Sequence, residues 1–267
     1  MLHELGAVPV VADALDPVQV AQAVARARPE VIVHQLTAIG ELDLRHFARA
    51  FAPTNLLRTE GTDHLLSAGQ AVGVRRFVAQ SNGAFAYART GGAVKGEEDP
   101  LDPSPAPEMR AMVSAVRHLE QAVLGAEWTE GIVLRYGAFY GPGTLLAPGH
   151  EQFELVRERK FPLVGDGGGV WSFIHTVDAA EATVAAVERG SRGVYNIVDD
   201  DPAPVADWLP ALARILGAQQ PMQAPRLAAG EAGAVLMTEL RGASNAKAKR
   251  ELGWQPRHPS WRQGFAT

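Results

Sequence analysis

The sequence predicts an α/β protein, a doubly wound parallel sheet followed by a smaller C-terminal lobe. Two observations carry this. Short runs rich in Val and Ile alternate with helix-spaced segments through the first half of the chain, the pattern of strands buried on both faces between crossover helices. After residue 143 the elements shorten and the regular alternation is lost. One unit is therefore placed at 1–143 and a smaller lobe at 144–267, with segments at about 165–200 returning to the sheet.

The elements follow in order. Met1–Leu5 reads as a last helical turn closed by Gly6, and Val8–Ala12 as a buried strand ending at Asp13. Pro17–Arg28 has apolar residues at helical spacing (Val20, Ala21, Val24), with Pro17 suited to the first turn. Val31–Val33 is a second strand, Asn55–Ala71 a helix, Arg76–Gln80 a third strand, 110–124 a helix and Gly131–Arg135 a fourth strand. In the second half, 150–160 reads as an amphipathic helix, Gly165–Gly169 as a turn and Trp171–Ile174 as a short strand. Asp178–Arg189 reads as a helix, Val194–Val198 as a strand, Val205–Leu216 as a helix, and Ser244–Leu252 as a short helix stopped by Gly253. The segment 221–234 lacks periodicity and reads as a mobile connection.

Composition excludes several classes. The 267 residues carry a formal charge of −5, from 25 Lys+Arg against 30 Asp+Glu, which argues against a nucleic-acid partner. No run of 18 apolar residues offers a membrane span, and residues 1–11 lack the basic start of a secretory signal. With no cysteine, disulfides, thiolate metal sites and thiol catalysis are ruled out. No His/Asp/Glu group has metal-ligand spacing, so no metal is expected, and no Gly-x-Ser-x-Gly elbow marks a hydrolase. The expectation is a cytoplasmic protein acting on a small molecule.

Ligands of open α/β sheets bind outside the carboxyl ends of the strands. The candidates are then Asp13, His34–Ala38, Ser81–Tyr87 and Tyr136–Gly143.

These strand ends, read together, resemble the extended (atypical) short-chain dehydrogenase/reductase superfamily, in its NAD-dependent epimerase/dehydratase branch. The resemblance runs through PVVADALD (9–16), VIVHQLTA (31–38), TEGT (59–62), RYGAFYGPG (135–143), GDGGGVWSFIHTVD (165–178) and KAKRELGW (247–254). It implies a Rossmann-like fold and NAD or NADP as cofactor. The cofactor would be held by Asp13, Ala14, Gln35, Leu36, Thr37, Arg58, Tyr136 and Gly137. A homodimer is the family-level expectation.

Two departures qualify the resemblance. The family opens with a strand and a glycine-rich loop that seats the diphosphate on a helix N-terminus; here the fold is expected to be N-terminally truncated, with the chain starting one β-α-β unit late, either at an internal Met or because the protein is naturally shortened. The family also uses a Tyr-x-x-x-Lys pair to move a proton while hydride passes to or from nicotinamide. Counting back from Glu120 places Met112 and Val116 at those positions, and the preceding Ser/Thr position falls on Gly83. Neither Met112 nor Val116 transfers a proton, so catalysis would fall to Ser81, Tyr87 or water. Trp171 stands where related nucleotide-sugar enzymes have an Arg on the substrate phosphates, which argues against a nucleotide sugar.

Simpler readings stand beside these. His34 reads as a satisfied buried histidine, Tyr87 as a ring packed over the cleft, Asp178 as a helix N-cap, and Arg89 and Lys95 as either an anion site or an exposed loop. The function expected is an NAD(P)-dependent oxidoreductase or epimerase-like protein with an atypical site. The alternatives are a non-catalytic NAD(P)-binding regulatory protein or an inactive truncated product.

Overall fold

The computed structural model describes residues 3–40, 46–82 and 85–265. Along the chain the strands are β1 (Val31–His34), β2 (Arg76–Asn82), β3 (Val94–Lys95), β4 (Glu130–Tyr136), β5 (Ala138–Tyr140), β6 (Leu163–Val164), β7 (Val170–Trp171), β8 (Phe173–His175) and β9 (Gly193–Ile197), followed by two-residue strands at Ala203–Pro204, Gln223–Ala224 and Gly242–Ala243. The main helices are α1 (Pro17–Ala27), α2 (Phe47–Leu56), α3 (Thr62–Val72), α4 (Arg110–Gly125), α5 (Glu151–Arg157), α6 (Thr176–Arg189), α7 (Val205–Ile215), α8 (Gly230–Thr238) and α9 (Ala246–Leu252).

Strands β1, β2, β4 and β9 form a four-stranded, all-parallel sheet in the order β1-β2-β4-β9. Side chains alternate between its faces, as the pleat requires. Phe77, Ala79 and Val133 pack with Val20 and Val24 of α1, Leu66 of α3, and Leu119 and Val123 of α4. Val78, Ile132 and Leu134 face the other way, onto Ala179, Ala182, Ala185 and Ala186 of α6 and onto Leu252 and Trp254. The alanine stripe lets α6 lie close to the sheet. On the opposite face, Gly131 permits the same intimacy, since a Cβ there would meet the Val123 carbonyl oxygen at 2.1 Å. Thus β9, from the second half of the chain, completes the sheet. A third apolar cluster, built on Trp208, Trp261, Phe173, Phe153 and Leu236 of the C-terminal lobe, continues into Phe47 and Phe51 of α2 and Met112 and Val116 of α4.

The expected strand at Val8–Ala12 is overturned. These residues are extended but unpaired, and Val8 and Val11 are 85% and 101% exposed. A strand needs a neighbour to share its ladder of hydrogen bonds. No described segment pairs with Val8–Ala12, so the segment's local β pattern goes unused.

Other boundaries shift for local reasons. The helix read as Asn55–Ala71 begins at Phe47, runs past an internal Pro53, and widens into a π-turn at Leu57–Gly61 before α3. Trp171–Ile174 is two strands, β7 pairing with residues 203–204 and β8 with β5. The segment 221–234, expected to be irregular, instead runs from Gly230 into α8, whose residues Ala232–Met237 are all buried. A helix apolar all round has no amphipathic period to read. Among the described residues no helix is long and apolar enough to cross a membrane.

Candidate functional site

A cavity of about 430 Å³ opens at the carboxyl ends of the strands, between the sheet and the lobe. Its floor is the end of β2 (Gln80, Ser81, Asn82) and the end of β4 with the residues after it (Tyr136, Gly137, Ala138). One wall is Thr37 and Ile39, beyond β1, with Phe51 and Arg58. The lobe closes it with Leu145, Leu146, His150, Gln152 and Trp171. Phe85 and Phe139 complete a largely apolar, aromatic lining with a few polar groups, the usual make-up of a small-molecule site.

The structure brings Thr37, Arg58, Ser81, Tyr136 and Gly137 together around this space, and leaves other sequence candidates out. Asp13 is exposed; its carboxylate accepts from Leu15 N and its own N–H donates to Gln19. Ala14 packs at the start of α3, its carbonyl 3.1 Å from His64 Nδ1. Leu36 is 41% exposed. Gln35 Nε2 donates to the Tyr136 hydroxyl (3.0 Å), which also meets Thr183 Oγ1 (2.6 Å). That pairing ties the crest beyond β1 to β4 and α6, and burial pushes the phenol up to about 12.

Ser81 and Tyr87 belong to one buried network. Ser81 Oγ donates to Glu120 Oε1 at 2.7 Å, and Arg135 grips the same carboxylate at 2.8 and 2.6 Å. Tyr87 lies behind, outside the cavity lining. Its hydroxyl donates to Asn196 Oδ1 (2.6 Å) and accepts from Arg135 Nη1 (2.9 Å), and burial raises its pKa. Met112 and Val116 are fully buried in the core cluster with Phe47, Phe51 and Met109. The Gly83 position lies outside the described residues.

His34 is the satisfied buried histidine expected. It is 2% exposed, Nε2 sits 3.1 Å from Thr62 Oγ1, and Nδ1 accepts from Leu36 N. Burial, with Arg58's charge adding to it, lowers its pKa to about 4. Arg89 is paired to Asp102 and Glu239, and Lys95 bonds Asp99 and the Thr90 carbonyl, so these cations hold the fold together rather than await an anion.

The N-cap of α6 is His175, not Asp178. Asp178 instead accepts from Arg257 N, His258 N and His258 Nδ1, fastening the C-terminal segment. His175, Asp178 and His258 do place ligand atoms within 4.8 Å of one another, a cluster that sequence spacing missed because 80 residues separate its members. The two rings stack at 3.7 Å and the carboxylate is already triply bonded, a packing arrangement. His150 and Gln152 were also missed as lining residues; they come from the lobe, with no strand end to mark them.

No described glycine-rich turn opens a helix that would seat a diphosphate. Gly165–Gly169 runs into β7, and the N-terminus of α1 is already capped by the Asp16 carboxylate.

Residues 4–198 match the NAD dependent epimerase/dehydratase family. A protein of Streptomyces sp named 3-diazoavenalumate denitrifying reductase is 48% identical over 261 residues, covering 96% of this chain and 85% of the relative. Among solved structures, the fold is similar to UDP-glucose 4-epimerase of Thermotoga maritima with UDP-glucose (TM-score 0.78, 22% identity, 97% of this chain and 82% of that one). It is also similar to RMD of Pseudomonas aeruginosa complexed with NADPH (TM-score 0.71, 21% identity, 97% and 86%). Sequence match, parallel sheet and strand-end cavity together make this chain a member of the NAD dependent epimerase/dehydratase family.

Proposed function

We propose that the protein is a nicotinamide-dependent reductase that replaces a diazonium group on a small aromatic substrate by hydrogen and releases dinitrogen. The observation that carries this reading is the pair Met112 and Val116, buried apolar side chains at the positions to which the family resemblance assigns the proton-transfer pair. The 48% identity to a denitrifying reductase supports it.

The chemistry explains why such a pair is dispensable. Carbonyl reduction builds an alkoxide that needs a proton, hence a Tyr acid. Reductive loss of dinitrogen builds no anion: R–N₂⁺ and hydride give R–H and N₂. The C–N bond breaks, its electron pair leaves with dinitrogen, a C–H bond forms, and no proton is consumed. Reduced NAD(P) supplies the hydride when bound; Thr37, Asn82, Tyr136 and Gly137, which line the cavity, would hold its nicotinamide end. The remaining work falls to shape and dryness. Phe51, Phe85, Phe139 and Trp171 offer flat apolar surface to an aromatic ring and keep out water, the nucleophile that would otherwise capture the diazonium.

The test is an anaerobic incubation with 3-diazoavenalumate and NADH or NADPH. Oxidation of the nicotinamide matched one to one by dinitrogen supports the reading. Cofactor oxidation without gas, or neither, contradicts it.

A further inference from the structure

Arg58 is the least explained charge in the molecule. It lies in the π-turn Leu57–Gly61 that joins α2 to α3, and such turns within helices frequently sit at functional positions. The side chain is 3% exposed and lines the cavity, and its Nη1 has no hydrogen-bond partner. Burial alone pushes the guanidinium down to about 10. Its aromatic neighbour, Phe51, lies with its ring centre 6.0 Å from Cζ. A buried guanidinium proton without an acceptor is costly, and an anion entering the cavity would relieve it.

We propose that Arg58 anchors a carboxylate of the substrate, so that the cavity selects small aromatic acids over their neutral analogues. This rests on the reading of the cavity as the substrate site. Guanidinium and carboxylate match as planar forks, and Ile39, Phe51, Phe85 and Trp171 supply the apolar surface for the body of such an acid. A cofactor phosphate is the other anion to consider. Phosphate sites draw on backbone N–H groups at a helix start, whereas Arg58 stands within a continuous helical run and offers a side chain alone. Its charge also orients the substrate, since a cationic diazonium is repelled from the end that holds the carboxylate.

The experiment is calorimetric titration of the wild type, Arg58→Met and Arg58→Lys with 3-phenylpropenoate, with its methyl ester, and separately with NADH and NADPH. The wild type should prefer the acid by roughly tenfold, Arg58→Met should bind acid and ester alike, and Arg58→Lys should keep part of the preference. Nicotinamide affinities should agree across all three proteins. A wild type indifferent to acid and ester overturns the proposal, as does an Arg58→Met that keeps the preference. Loss of NADH or NADPH affinity in Arg58→Met with the acid preference intact also overturns it, and assigns Arg58 to a cofactor phosphate. Should Arg58→Met fail to fold, the wild type and Arg58→Lys decide. These are binding readouts, so a protein that releases no dinitrogen yet shows the pattern contradicts the function while upholding the anchor.

Discussion

Ser81 lines the cavity, yet its Oγ gives its proton to Glu120 Oε1, 2.7 Å away, a carboxylate that Arg135 holds through two further bonds. The hydroxyl is thereby committed as a donor and open to a ligand only as an acceptor. A working general acid is worth about 10²–10⁴ in rate. Ser81→Ala should instead change turnover by less than about threefold, as read by steady-state kinetics. Glu120→Gln should unsettle the fold, because it leaves Arg135 buried without its counter-charge, at a cost of about 3–5 kcal/mol in urea denaturation.

Tyr87 belongs to the same network but not to the cavity wall. Tyr87→Phe removes one acceptor from Arg135 and one donor from Asn196. The expected loss is about 1–3 kcal/mol of stability, with turnover per folded molecule unchanged. A large fall in turnover at full stability would return Tyr87 to the chemistry.

His34 makes stability pH-dependent. Its folded pKa is near 4 against 6.5 for an ordinary histidine, so below 6.5 the unfolded chain binds the extra proton and stability falls as pH falls. The loss is complete below the folded pKa and amounts to about 3 kcal/mol. His34→Asn keeps an acceptor near the Nδ1 position and does not titrate. The stability gap between wild type and variant should therefore shift in the variant's favour as pH drops from about 7 to about 4.5; a constant gap would show that His34 does not carry the effect.

His150, exposed at the N-terminus of α5, is a histidine on the cavity wall. If no proton is consumed, His150→Gln should leave the pH profile of turnover flat and within about twofold of wild type, far below the contribution of a general acid. A lost acidic limb in the profile would name it the donor.

The sheet was legible because β2, β4 and β9 carry Val, Ile and Leu buried on both faces, and because α1 and α4 show clean helical spacing. The strand-end rule then found Thr37, Ser81, Tyr136 and Gly137. What failed was non-local. Val8–Ala12 has strand chemistry but no neighbour to pair with, and α8 is buried all round and so has no period. The partnership of Ser81 with Glu120 and Arg135 joins residues 39 and 15 apart in sequence, and the lobe's His150 and Gln152 reach the cavity only through tertiary packing. Arg58 was visible as a residue, but its burial depends on the π-turn, which sequence periodicity does not reveal.

The most direct test of acid-free hydride delivery follows the hydrogen itself. The protein is run on 3-diazoavenalumate with reduced nicotinamide deuterated at the transferred position in ordinary water, and with unlabelled cofactor in heavy water. The expected product carries deuterium at the former C–N₂ carbon in the first case and none there in the second, with no solvent isotope effect on turnover. Deuterium entering that carbon from heavy water, or a marked solvent isotope effect, would show that a proton is transferred and that the site holds an acid after all.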